Sequence, residues 1–441
     1  MVHAGKIRLA STILLTTLGF TSLLQSQSTT PDSLSWEDVV RMVVRNSPSV
    51  AQATANIAAS DARVKQTQTV DLPTVGFDGS YVRIGPVPEL FFPGLGVFKL
   101  YPENNYDAHV GVRQTVYDFG KSSSNVDVVQ SRIKTAEETA EYTKSFLAYQ
   151  SIQLFYSILF LKQSIQVENQ EIETLNQHLL VNRKRLQAGS GTDFEVLTTQ
   201  VRVAAAQNQR IDLENMLAKQ QIALRRLLGV ADSLALNLRG EFALIPVNVD
   251  PDSLKSTALR QRPEILSARA EEMTSTLQFR AARLSEMPIV SVNASYGVKN
   301  GFIPNLDILR GNWVAGVELR VPLYEGGLTD YKEQEAQATM DGSSAHVMDV
   351  ERQISSEVNQ SVSDLQAAQN KLETAVLQVQ QASEALSIAQ KSYDAGAVSN
   401  LDVLDAETAL SQANLFRLRS LYEFVTSRYG LERAIGTAIW K

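Results

Sequence analysis

Apolar positions along this chain follow two periods. Over 121–188 they return every three or four residues, as at Leu175, Leu179, Val181 and Leu186, while Gln, Asn, Ser, Glu and Lys fill the other faces. That spacing predicts an amphipathic helix. The interval holds 68 residues without proline or glycine, and 328–395 gives another 68 broken only by Gly342, with Leu372, Val376, Val379, Leu386 and Ile388 in the same rhythm. At 1.5 Å per residue each helix would extend about 100 Å. Helices over 192–228 and 399–435 would reach about 55 Å and turn the chain back, making antiparallel helical hairpins. Abundant alanine and glutamine let neighbouring helices approach closely.

Four shorter stretches alternate instead. In "TVGFDGSYVR" Val75, Phe77 and Tyr81 oppose Gly76, Asp78 and Ser80; in "YDAHVGVRQTVY" Tyr106, Ala108, Val110, Val112 and Val116 oppose Asp107, His109, Arg113 and Thr115. Later, Val290, Val292, Ala294, Tyr296 and Val298 oppose Ser291, Asn293, Ser295 and Lys299, and Trp313, Ala315, Val317, Leu319 and Val321 oppose Glu318 and Arg320. Strands of about 10 residues with one apolar and one polar face suit a membrane barrel, lipid outside and water inside. Trp313, Tyr296, Tyr81, Tyr101 and Tyr106 fall near the expected strand ends, where aromatic girdles sit. The lumen face would carry Asp78, Ser80, Asp107, Arg113, Asn293, Glu318 and Arg320. Four strands cannot close a barrel, so identical chains must supply the rest: two would give eight strands, three would give twelve and an aqueous lumen.

The chain is written twice. "AGSGTDFEVL" from Ala188 returns 207 positions later as "AGAVSNLDVL", "VYDFGK" from Val116 as "LYEGGL", and "LLG" at Leu227 as "AIG". Toward the N-terminus the offset is 215: "NSPSV" pairs with "QRPEI", and "LPTVGFDGSY" with "MPIVSVNASY". The offset changes once, by eight residues, in the loop between the strands of each hairpin. Two tandem repeats follow, about 28–240 and 241–441, each a helix, a strand hairpin (about 72–118 and 288–323), a long helix, a joint and a shorter helix.

Composition narrows the function. The opening 27 residues have Lys6 and Arg8 ahead of an apolar run and read as a secretory signal peptide, the run being short for a spanning anchor. Without them 39 basic residues face 48 acidic ones, about −9, which argues against a nucleic-acid partner. With no cysteine there is no disulfide, thiolate site or lipidation at an N-terminal cysteine. His3, His109, His178 and His346 are scattered, the seven methionines are dispersed, and no nucleophile elbow or phosphate loop is present, so neither enzyme, metal nor cofactor is expected. A periplasmic adaptor or a coiled-coil rod would share the long helices; neither accounts for two hairpins together with lipid-type strands.

The tandem duplication, "VPLYEGG" from Val321, the early "NSPSV" and "YDAGAVSNLDVLDAETAL" from Tyr393 together resemble the TolC-like outer membrane efflux proteins, over about 35–436. The resemblance implies a mixed α/β membrane protein: a homotrimer with a 12-stranded outer-membrane barrel, four strands per chain, continued into the periplasm by a long α-helical barrel. It implies a passive exit duct for an efflux or type I secretion system, docked to a periplasmic adaptor and an inner-membrane pump or ABC transporter. The joints Gly189, Ser190, Gly191, Thr192 and Gly396, Ala397, Val398, Ser399 would be the periplasmic tips that meet the adaptor. Structurally, their glycines suit helix C-termini, and Thr192 or Asp193 and Ser399 or Asn400 suit N-caps. Asp402 and Asp405 match the family's aspartates at the constricted entrance, where three chains would gather six carboxylates and raise their apparent pKa. The earlier joint has Glu195 and Thr198 there. Some relatives place a locking arginine where this chain has Val398. Cargo is not legible.

Overall fold

In a computed structural model, residues 33–94, 96–231, 233–244 and 250–440 are described; the expected signal peptide lies outside them. Helix α1 (Trp36–Asn46) starts at Ser35, whose hydroxyl accepts from the Asp38 amide while the Asp38 carboxylate accepts from the Ser35 amide. Such a reciprocal cap satisfies two otherwise orphaned donors. The first expected helix is in fact two, because Pro48 cannot continue α1. Ser47 takes an extended conformation and caps α2 (Pro48–Gln68). The second repeat breaks at the matching proline: α5 (Pro251–Gln261) gives way to α6 (Pro263–Arg283).

Strands β1 (Thr74–Arg83), β4 (Asn104–Tyr117), β5 (Ile289–Lys299) and β6 (Arg310–Arg320) form one antiparallel sheet in the order β1-β4-β5-β6, leaving β1 and β6 as unpaired edges. Register sets the faces. Phe77 pairs with Val110 and Val110 with Tyr296, while Tyr296 pairs with Trp313, so one apolar surface runs across all four strands. On the other surface Ser80 pairs with Asp107, Arg113 with Asn293, Ser291 with Glu318 and Ile289 with Arg320. A bulge between Thr115 and Tyr117 takes Val116 out of the apolar row assigned to it, and Tyr117 pairs with Val290 instead. The β1–β4 connection is also more than a loop, since it contains a small hairpin, β2 (Glu89–Phe92) and β3 (Gly96–Lys99).

Helices α3 (Lys121–Gln187) and α7 (Leu328–Asp394), 67 residues each, leave the sheet through Gly120 and Gly327, both with φ above +80°. That left-handed turn is open to glycine at no steric cost. They return as α4 (Asp193–Leu228) and α8 (Asn400–Ala434). The main core lies beside the middle of α3, where Ile152, Phe155 and Ile158 meet Val39 and Val43 of α1, Leu224 and Leu228 of α4, and Phe424 and Val425 of α8. Trp36 and Tyr156 lie 5.1 and 5.9 Å from the Tyr429 ring. A Cβ at Gly240 would come within 2.9 Å of Phe155, so the chain crosses this core only as glycine.

The long helices bury different residues from those their apolar rhythm suggests. Leu175 and Leu372 are buried, but Val181 and Val376 are exposed, and Asn182 and Ala375 take the inner positions beside them. Leu180, Leu377 and Ile388 are exposed too. A helix in a cylindrical wall has neighbours on both flanks, so its apolar residues divide between a seam inside the chain and one facing outward.

Candidate functional site

The end of the molecule farthest from the sheet is built by the two joints. Each helix stops in the same way: the Ser190 amide donates to the Arg185 carbonyl at 2.9 Å and the Ala397 amide to the Ser392 carbonyl at 2.8 Å, with Gly189 and Gly396 at φ +72° and +71°. These are six-to-one closures that need a left-handed residue. At Gly191 a Cβ would stand 2.9 Å from the Leu186 amide nitrogen, so that position too is held to glycine. Thr192 and Ser399, rather than Asp193 and Asn400, are the caps.

Glu195 and Asp402 therefore do the same work. Thr192 donates its amide to Glu195 at 2.9 Å, and Ser399 donates its amide and hydroxyl to Asp402 at 2.8 and 2.7 Å. Those Ser399 bonds hold the Asp402 carboxyl below the usual carboxylate range. Within one chain the shift is thus opposite to the rise expected of a carboxylate cluster, which needs the other copies.

Asp405 is where the two joints part. Its Oδ1 accepts from Arg202 Nη2 of α4 at 2.5 Å, and Arg202 Nη1 donates to Thr408 at 3.1 Å. The partners diverged together, since 207 positions away Asp405 faces Thr198 and Arg202 faces Ala409. Val398 carries no charge, but an arginine does reach this carboxylate from another helix. Sequence reading passed over Arg202, although the paired differences between repeats would have exposed it.

Around this ion pair α3, α4 and α8 meet through polar groups. Buried Asn182 donates to Thr199 at 3.0 Å and to Asn400 at 3.3 Å, and His178 Nε2 lies 2.6 Å from the buried Glu407 Oε1. Arg185 stacks on the Tyr393 ring at 4.5 Å, joining the ends of α3 and α7. In the other repeat Ala385, Ala389 and Ala406 stand where His178, Asn182 and Thr199 are.

Farther up α3, burial pushes the Glu168 carboxyl up to about 7, helped by the charge of Glu171, which burial also raises from 4.5. The folded chain holds this proton where the unfolded one would release it. The contribution to stability is therefore full below about 4.5 and is lost as pH rises through about 7. Glu168→Gln should raise stability at pH 8 by about 1–3 kcal/mol and change little at pH 4, read from thermal dissociation at the two pH values.

The expected lumen residues share the polar face of the sheet, where Asp78 pairs with His109, and His109 contacts Asp107 and Asn312. Among the described residues no cluster of three metal-ligating side chains occurs, and no helix is long and apolar enough to cross a membrane.

Comparison with known proteins places this geometry. The family described as "Outer membrane efflux protein" matches residues 39–230 and 254–437, one segment per repeat. Outer membrane protein TolC of Vibrio cholerae is 24% identical over 326 residues, covering 71% of this chain and 73% of the relative. The alkaline protease secretion protein AprF of Pseudomonas aeruginosa is 24% identical over 341 residues, covering 75% and 70%. Among solved structures, the CmeC outer membrane channel of Campylobacter jejuni superposes with a TM-score of 0.79 at 17% identity, over 91% of this chain and 86% of that one.

Proposed function

Since the chain belongs to the outer membrane efflux protein family, and is thus an outer-membrane channel extending into the periplasm rather than an enzyme, we propose that it is the passive exit duct of a tripartite efflux or type I secretion system. The adaptor and coiled-coil readings lapse with the family. The observation that carries the proposal is the sheet, with an apolar face, a polar face and two free edges, continued at one end by two 67-residue helices. A sheet edge cannot stay unpaired in lipid, so three copies close a twelve-stranded barrel with Asp78, Ser80, Asp107, Arg113, Asn293, Glu318 and Arg320 toward water. The helices continue the duct, and the joints form its far end.

In this reading Asp402 and Asp405 ring the narrow end. Arg202 holds Asp405 against α4 and so keeps α8 beside the wall of the duct. The tips at 189–192 and 396–399 receive a periplasmic adaptor, which links the duct to an inner-membrane pump or ABC transporter. A photo-crosslinking residue in place of Ala397 or Ser190, introduced in living cells, should capture a periplasmic protein with a helical hairpin. Adducts from Glu351, about a third of the way along α7 from the sheet, with none from the two tips would overturn the docking assignment.

A further inference from the structure

The eight residues by which the repeats differ fall in the connection that holds the β2–β3 hairpin, and nothing in the duct reading uses that hairpin. It sits at the outer end of the sheet. The helices join at Thr74, Tyr117, Ile289 and Arg320, so the ends at Arg83, Asn104, Lys299 and Arg310 face away from the periplasm. Leu90 pairs with Phe98 and Phe91 with Val97, and all four are exposed, Phe91 by 72%. The β5–β6 connection has apolar residues in the open as well: Ile303 is 82% exposed, and Ile308 and Leu309 are exposed by about half. Apolar side chains left in the open on both outer connections mark an interaction site.

The occupant follows from strand order. β1 and β6 are the free edges, so closing a ring of identical chains sets β6 of one copy beside β1 of the next. β2 is fed from the outer end of β1 through residues 84–88, and Ile308 and Leu309 lead directly into β6. Pairing the edges therefore brings the hairpin of one copy to the 303–309 loop of its neighbour, apolar against apolar. The geometry points to a collar of three such contacts around the outer mouth, with each β2–β3 hairpin clasping the next copy. Within its own chain the hairpin already stands near the β5–β6 connection, with Lys99 in electrostatic reach of Asp307 and Gly301 beside Pro102, while Leu90, Phe91, Val97 and Phe98 stay exposed for the next copy. The collar is a second trimer contact, outside the lipid, that also sets the outer width of the duct.

This inference rests on the trimeric channel reading, and the two fail differently. The chain has no cysteine, so a designed pair is read without background. Phe91→Cys with Ile308→Cys, oxidised in outer membranes, should give covalent dimers and trimers on a denaturing non-reducing gel, and neither single variant should. A photo-crosslinking residue at Phe91 alone, in an otherwise unchanged channel, should give the same inter-chain adducts. Detergent-extracted trimers without either cross-link would sink the collar and spare the channel. A wild-type chain that is monomeric in detergent would sink both. Quenching of a fluorophore at position 91 by brominated lipid, without inter-chain adducts, would show the hairpin lodged in the membrane and overturn the proposal as well.

Discussion

Asp402→Asn together with Asp405→Asn should strip a reconstituted channel of most of its preference for cations, with the cation-to-anion permeability ratio falling several-fold toward one. Carboxylates ringing a constriction concentrate cations electrostatically, and three copies would place six in one narrow section. Asparagine rather than alanine is the informative substitute. Asp402 is the N3 partner of the Ser399 cap, and an asparagine carbonyl there can still accept the Ser399 amide, whereas alanine removes that acceptor and confounds selectivity with fraying. The Ser399 bonds also keep Asp402 charged to a lower pH than an ordinary aspartate, so its contribution to helix stability is present above the unfolded pKa and is lost only as pH falls through its lowered one. Arg202→Ala gives the complementary outcome. It leaves both carboxylates, releases Asp405 from its neutralising partner and frees α8 from α4, so selectivity and conductance should both rise. The measurement is the reversal potential across a planar bilayer under a salt gradient. An unchanged potential in the double variant would remove the ring from its assigned place.

The second large effect is on insertion. Val110→Arg puts a guanidinium in the middle of the apolar face, between Phe77 on β1 and Tyr296 on β5. At the bilayer midplane such a change costs about 2–4 kcal/mol, and a trimer would bear it three times. The outer-membrane trimer should fall to a small fraction of the wild-type amount. Ser80→Arg, on the opposite face beside Asp107, should assemble normally. Quantifying heat-dissociable trimer in membrane fractions separates the two, and equal yields would mean that the faces are assigned the wrong way round.

Much of this architecture was legible because its rules are local. Strand alternation depends on residue parity, and the register confirms that one parity runs unbroken from Phe77 through Val110 and Tyr296 to Trp313. Joint chemistry is local too, since a glycine able to take positive φ followed three residues later by Thr or Ser needs no distant partner. What stayed hidden depended on contacts between distant segments. Nothing in the apolar rhythm distinguishes Val181 from Asn182, and only the meeting of α3, α4 and α8 puts the asparagine inside. Arg202 looked like any solvated helix charge until α8 brought Asp405 to it. The β2–β3 hairpin hid among prolines and glycines that read simply as a loop. The sequence already sets Glu195 against Asp402 and Thr198 against Asp405; it does not show that Asp405 alone reaches across to another helix.

Helix α8 is held at its far end by Tyr429, packed between Trp36 and Tyr156, and at the tip by contacts around Asn400. The two ends are about 44 Å apart along the axis. Mechanically this is a long lever on a short aromatic fulcrum. Moving the tip sideways by about 5 Å needs a tilt of only about 6°, well inside the scatter of helix packing angles. The core beside Phe155 need not repack for the duct to widen. The resistance lies in the polar contacts at the tip, where a docking protein would have the greatest mechanical advantage.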